Sequence, residues 1–562
     1  MASLVGKRRD GRTYYYLVES ARVAGRPRIV AQQYLGSAEE LAARLSRAGP
    51  GEPTRTRHRA FGDLAAAWSM LQRLQVARVV DEQVGSRRAD AAASVGTYLA
   101  LATLNRVVAP RSKLAFARWW QSTAGDRLVR LPAAALDHRR FWDAMDALSV
   151  RALRAAEQAI AARMVDVFDL DLAGLVLDMT NFATFVDSAN QRNTIAARGH
   201  AKQKRFDLRL VGLGLVVTAD GGVPVLSHAY QGNRPDVTQF SAVLDELVAR
   251  FGALARATDT LTVVYDAGCD STNGQAEVEA SPLHFVGSLR PSDHPDLLAI
   301  PARRFRTVDA ERFQGLTALE TRTTALGAER RVIITHSQTF HAAQARGFEQ
   351  TLAKARRRLA TLQTRLARGR TRRPRAAVEA EIAEILRPRW LSRVITWSLE
   401  GEEPASLHLH WRTDPAARRR LEREVFGKRL LFTDREDWPL AEVVAAYRSQ
   451  ADVEAGFRQL KDPKVVSFSP MFHWTDQKIR VHVFYCVLAL AVAHLLRRQA
   501  AQAGITLSVR ELLSALAGIQ ETVLLYQGER GRPRARHVLT EMDPTQQRLY
   551  DLFGLDAYAP KR

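Results

Sequence analysis

Two apolar runs, each ending in an aspartate, constrain this chain more than any other feature. Residues 172–178 (Leu-Ala-Gly-Leu-Val-Leu-Asp) and 261–266 (Leu-Thr-Val-Val-Tyr-Asp) have the length and side chains of buried strands. A carboxylate at the end of such a strand is costly unless a cation or a donor meets it. A third acid, Glu454, lies within residues 446–461, whose spacing predicts a helix. Two strand carboxylates and one helix carboxylate, converging in the interior of one site, can hold a pair of Mg²⁺ ions. That arrangement suits phosphoryl transfer. Asp178, Asp266 and Glu454 are therefore the candidate catalytic and metal-binding residues.

The remaining sequence bounds the partners. At 562 residues, the chain is too long for one core, and roughly two to four domains are expected. Lys and Arg number 82 against 60 Asp and Glu, a net charge of +22 that draws polyanions and makes nucleic acid the leading partner. An Arg-rich composition inherited from a GC-rich genome would give the same excess. The two cysteines, Cys269 and Cys486, have neither zinc-site nor disulfide spacing. The N-terminus has no signal-peptide core, and the longest apolar run, Val483 to Ala493, is too short to span a bilayer. The expectation is a soluble cytoplasmic protein, associated with the nucleoid and not with a membrane.

Patterning divides the chain into segments. Residues 1–48 predict a small β-unit, and 54–165 a helical region that would bind DNA ends. Arg111, Lys113, Arg118, Trp119 and Trp120 are its basic and aromatic face, or simply part of a helical core. Residues 170–290 predict strands and a covering helix, a mixed sheet. Residues 291–440 form an insertion, and 441–500 bring the Glu454 helix that completes the catalytic domain. A helical tail is expected over 501–562. Within the insertion, Phe348, Leu352, Ala355, Leu359, Leu362 and Leu366 alternate spacings of four and three. Val378, Ile382 and Ile385 resume that rhythm after Gly369 and Pro374, predicting a helical hairpin. From Lys354 to Arg375 it carries ten Lys and Arg and no acid, either a phosphate-contacting run or a solvated basic face.

On the Glu454 helix, Tyr447, Gln450, Glu454, Phe457 and Lys461 recur at spacings of three and four and form one stripe. Such a stripe can touch a metal, a nucleotide and a phosphate together; a buried Glu–Lys pair locking the helix to the sheet is the alternative. Asp452 falls on another face.

This stripe is similar to the Tyr-x2-Arg-x3-Glu-x6-Lys signature of bacterial insertion-sequence transposases with a ribonuclease H-like Asp-Asp-Glu domain. Gln450 stands where the signature has Arg, and Arg448 is the nearest substitute, pointing to a different face. The segments around Leu177-Asp178, 198–208, 232–236, 266–268 and 472–484 also resemble the family in order and place. The long gap before Glu454 and the N-terminal β-unit resemble one branch of it.

The resemblance implies an α/β fold with a mixed-sheet ribonuclease H-like core, plus an N-terminal β-unit, a helical region and an inserted domain. It implies that Asp178, Asp266 and Glu454 coordinate two Mg²⁺ ions, with Mn²⁺ able to substitute. Lys461 would hold a phosphate and Tyr447 would pack on a nucleotide or support the lysine. Gln450, Arg448, Lys202, Lys204 and Arg205 would contact DNA. The implied activity is cutting double-stranded DNA at inverted-repeat ends and joining the 3′ ends to a target, by a homodimer. A structure-dependent nuclease on the same scaffold and a catalytically inactive DNA-binding remnant are the alternatives.

Overall fold

In the longest apolar strand the side chains alternate between two helical layers. The computed structural model describes the chain apart from Met1, Ala24, 48–51, 86–91, Ser188, 200–206, Asp270, 528–533 and Arg562. Strand β1 (Gly174–Thr184) pairs antiparallel with β2 (Arg209–Thr218), which pairs antiparallel with β3 (Pro224–Gln231). On its other side β1 runs parallel to β4 (Thr262–Val264), and β4 runs parallel to β5 (His284–Leu289). The order β3-β2-β1-β4-β5 is the ribonuclease H-like arrangement expected from the sequence.

Helix α1 (Phe240–Thr258) covers one face of this sheet. Its Phe240, Val243, Leu244 and Leu247 are buried in one core with Leu175, Leu177 and Met179 of β1. At Gly214 of β2 a Cβ would come within 2.9 Å of Val243, so glycine there lets α1 approach. Because successive strand residues face opposite ways, Asp178, Thr180 and Phe182 project to the other side.

The insertion is not a separate body from the sheet. Four of its strands, β6 (Arg306–Thr307), β7 (Leu316–Ala325), β8 (Ala328–Ser337) and β9 (Lys428–Thr433), continue the sheet antiparallel beyond β5. The full order is β6-β7-β8-β9-β5-β4-β1-β2-β3. Between β8 and β9 run α2 (Gln338–Ala367) and α3 (Arg375–Leu386), whose predicted seam residues from Phe348 to Ile385 are all buried. Lys354, Arg356, Arg357 and Arg358 are exposed, whereas Arg365, Arg373 and Arg375 are engaged by Glu381 and Glu379 of α3. Acids from the neighbouring helix therefore neutralise part of the basic run.

Three helices complete the other layer: α4 (Leu440–Arg448), α5 (Gln450–Lys461) and α6 (Asp476–Gln502). The single helix expected over 446–461 is divided at Ser449, whose N–H is shared between the Ala445 and Ala446 carbonyls at 3.2 Å each. Helix α6 is apolar and long enough to cross a membrane, but 94% of its most apolar window is buried, as in a core helix. His482 and His494 of α6 are buried and bonded to the Phe468 and Gly222 carbonyls, both core roles.

The chain divides into two compact units, and these cut across the expected segments. One comprises Met1–Ala66, Arg118–Arg130 and Glu511–Arg562; the other comprises Ala67–Ala117 and Leu131–Arg510. The first contains the N-terminal meander Ala2–Arg9, Arg12–Val23 and Arg26–Ser37. It also contains a second sheet, in which Gln520–Tyr526 pairs with both Arg55–Ala60 and Arg534–Leu539. The C-terminal segment is thus not all helical, and the region after residue 54 opens with a strand. That strand's partner lies at the other end of the chain, where local patterning cannot find it. Buried Glu521 holds the sheet to Arg127 through two hydrogen bonds, at 2.6 and 3.1 Å.

Leu359 sits at the centre of the α2–α3 seam with no exposed surface. Leu359→Ala should lower stability by about 2–5 kcal/mol through lost contacts and a cavity. A urea titration followed by circular dichroism would show the midpoint falling; an unchanged midpoint would mean that the seam does not stabilise the fold.

Candidate active site

Strand register brings the first two carboxylates together. The parallel ladder pairs Val176 with Val264 and Val264 with Val286. Two residues further on each strand stand Asp178, Asp266 and Ser288, and Ser288 Oγ donates to Asp266 Oδ1 at 3.1 Å, so the register carries on past the ladder. At a strand spacing of about 4.8 Å, Asp178 and Asp266 are neighbours. They also share a face. Tyr265 turns towards α1, stacking edge-on to Phe240 at 5.2 Å and donating to Gln275, so Asp266 turns away from it. Asp178 does not end its strand as the apolar run suggested: β1 continues to Thr184. It is β4 that ends, at Val264, two residues before Asp266.

Helices α4 and α5 lie on this face. Tyr447 is buried and its hydroxyl donates to Asp266 Oδ1 at 3.0 Å. Arg429 Nη1 of β9 donates to the same hydroxyl at 3.1 Å. Burial and the adjacent Asp266 carboxylate push the Tyr447 phenol up to about 12, so it stays a donor at any working pH. Lys461 Nζ donates to Thr180 Oγ1 at 2.7 Å and lies 5.4 Å from the Phe182 ring. Thr180 and Phe182 share the Asp178 face of β1, so Lys461 and Tyr447 bracket the carboxylate pair.

Glu454 is less drawn in than the sequence suggested. It is exposed, 3.5 Å from Arg458 one turn on, and Asp266 is exposed too, so neither lies in a protein interior. Among the described residues no three His, Cys, Asp or Glu side chains converge closely enough to hold a metal. Glu454 does line a cleft of about 270 Å³ together with Tyr447, Gln450, Arg448 and Arg429. Arg448 and Gln450 line the same cleft, so Arg448 is not turned away from it as the helical spacing suggested. Arg448 is exposed with its guanidinium 4.9 Å from the Phe313 ring; Gln450 is buried, its Nε2 without a hydrogen-bond partner. Asp452 faces elsewhere, 3.7 Å from Arg497 on α6, and burial raises its carboxyl.

Lys202, Lys204 and Arg205 lie outside the described residues, as does the Cys269 side chain. Two participants were not singled out from sequence. Arg429 and Ser288 reach Asp266 directly or through Tyr447, and the only sequence signal was an Arg or Ser inside otherwise apolar strands. Carboxylate oxygens are hard donors suited to divalent ions, and the Asp178–Asp266 pair fits such an ion with Glu454 on the adjoining cleft.

The family model for the transposase DDE domain matches residues 171–466, more than half the chain, and the chain belongs to that family, which generally uses divalent metal ions. No curated protein matches it. Among solved structures, it is similar to the cryo-EM structure of a piggyBac transposase synaptic complex with hairpin DNA. There the identity is 9% and the TM-score 0.36, with 83% of this chain and 82% of the other covered.

Tyr447 supports Asp266 from behind, and removing such a support typically weakens metal binding about 10–100-fold. Tyr447→Phe should therefore weaken Mn²⁺ binding by about tenfold in a calorimetric titration. Wild-type affinity in that variant would show that the hydroxyl does not position Asp266.

Proposed function

We propose that this protein is the transposase of a bacterial insertion sequence, which binds the terminal inverted repeats, cuts the DNA and joins the 3′ ends to a target. The observation that supports it best is the level placement of Asp178 and Asp266 on one face of the sheet, inside the family-matched region. Asp178, Asp266 and Glu454 would hold two Mg²⁺ ions, with Mn²⁺ able to replace them. Such ions activate water or a 3′-hydroxyl and stabilise the leaving 3′-oxygen.

The surrounding side chains have their own work. Tyr447, held by Arg429, fixes the Asp266 carboxylate. Lys461, steadied on Thr180, offers an ammonium to a phosphate next to the carboxylates. Arg448 and Gln450 present donors to DNA in the adjoining cleft, and Lys202, Lys204 and Arg205 neutralise backbone phosphates. Holding both ends of the element calls for a homodimer, acting in the cytoplasm on nucleoid DNA. Glu454 standing exposed against Arg458 is the one observation that favours an inactive DNA-binding remnant.

A strand-transfer assay on DNA carrying the flanking inverted repeats, in Mg²⁺, tests the reading. Joined products from wild type but not from Glu454→Gln are expected. Cleavage without joining would identify a nuclease, and binding with neither reaction in Mg²⁺ or Mn²⁺ would identify the remnant. Asp178→Asn, Asp266→Asn and Glu454→Gln should each reduce cleavage by about 100-fold or more while sparing end binding. Asp452→Asn, whose partner is Arg497, should change it by no more than about threefold. A matching loss in Asp452→Asn would reassign the third carboxylate.

The exposed part of the basic hairpin is open to a separate check. Changing Lys354, Arg356, Arg357 and Arg358 to Glu should weaken DNA binding and flatten its dependence on salt. Unchanged affinity and slope would make this a solvated face only.

A further inference from the structure

A second cleft, apart from the carboxylates, is built for an anion attached to a flat ring. It encloses about 250 Å³ and is lined by Arg106, Lys113, Trp142, Phe472 and Tyr485 among others, with His138 and His473 on its wall and no acid. Lys113, which the sequence left between a DNA-facing surface and a helical core, is 6% exposed and set at the start of a short turn capped by Ser112. Its Nζ has no hydrogen-bond partner, and its nearest neighbours are aromatic faces, Tyr485 at 4.2 Å and Phe141 at 5.5 Å. Arg106, 1% exposed, donates through its two terminal nitrogens to the carbonyls of Ser467, Ser469 and Pro470, on the loop that forms the cleft's far wall, and leaves its Nε unpaired.

A buried ammonium beside a buried guanidinium, with no carboxylate lining the cleft, is a costly arrangement for the free protein. Burial and Arg106 push the Lys113 ammonium well down, which favours the neutral amine until an anion enters and restores the proton. His473 is pushed down to about 3 by burial and by the same two cations, and therefore stays neutral. A phosphate entering the cleft would supply the missing charge. The rim has the complementary chemistry. Trp142 is 40% exposed and Phe472 61%, large aromatic surfaces that a folded chain seldom leaves in water without use. Phe185 packs on Phe472 at 5.6 Å and its N–H donates to the Met471 carbonyl. The cleft loop is therefore tied to the end of β1, the strand that carries Asp178, roughly 20 Å further along it.

We propose that this cleft binds one nucleotide of single-stranded DNA, with Lys113 taking its phosphate and Trp142 and Phe472 stacking on its base. The proposal rests on the reading of the chain as a DNA-processing protein, and it adds a second place at which the strand is held while it is cut. Aromatic stacking accepts any base, so the cleft selects unpaired over paired DNA and not one sequence over another.

The test uses the full chain in EDTA, so that no chemistry is needed, and a short single-stranded oligonucleotide carrying 2-aminopurine. Wild type should quench the probe in a saturable titration. Phe472→Ala and Trp142→Ala should each weaken that binding about tenfold. The affinity for the same sequence as a fully paired duplex should stay unchanged. Lys113→Met, which keeps the volume and removes the buried charge, should also weaken probe binding while the thermal midpoint holds or rises. Equal affinity of wild type for probe and duplex, or wild-type probe binding in the Trp142 and Phe472 variants, would overturn the proposal. Quenching by a protein that neither cuts nor joins inverted-repeat DNA would keep the cleft and remove the transposase reading. Joining without quenching would do the reverse.

Discussion

Everything at this site depends on the point where β4 stops while β1 and β5 continue. Parallel pairing up to Val264 brings Asp178, Asp266 and Ser288 level, with Asp266 just past the end of β4. Two carboxylates placed side by side on a sheet repel each other, a cost that a divalent cation would offset. In the protein by itself, Asp266 is met by donors: the Ser288 hydroxyl and the Tyr447 phenol. The local structure is built to tolerate charge at this point, which ordinary strands avoid.

The layer over the pair is fixed from two directions. Arg429 reaches Tyr447 from β9, a strand supplied by the insertion, so the insertion contributes directly to the geometry around Asp266. Lys461 is held on Thr180 from the C-terminal end of α5. Glu454 stands between these two anchors on the exposed side of α5, 3.5 Å from Arg458. Tyr447 on α4 and Lys461 on α5 thus anchor the two helices to the sheet, with Glu454 exposed between them.

The sequence was most readable where burial follows a period. The apolar runs of β1 and β4, the seam from Phe348 to Ile385, and the core helix containing Val483 to Ala493 all lie where their spacing places them. It was least readable where partners are distant. Nothing near Arg55 announces pairing with Gln520–Tyr526, and nothing in residues 306–337 shows that they extend the same sheet as Asp178. The division of the helix at Ser449 is a local event without Gly or Pro to mark it. Lys113 shows the same limit at one residue: a lysine in a basic, aromatic stretch reads as surface or as core, and only the packing of Tyr485 and Phe141 around it reveals a buried charge. The side-by-side placement of Asp178 and Asp266 needed both kinds of information, the apolar run for each strand and the long-range register between them.

We propose that Asp178, Asp266 and Glu454 together form one metal centre. Anomalous diffraction from crystals of the full chain bound to inverted-repeat DNA and Mn²⁺ tests it most directly. Manganese coordinated by both aspartates, with Glu454 turned away from Arg458 and onto an ion, is the predicted result. Manganese bound elsewhere, or bound by the aspartates with Glu454 still paired to Arg458, would contradict it.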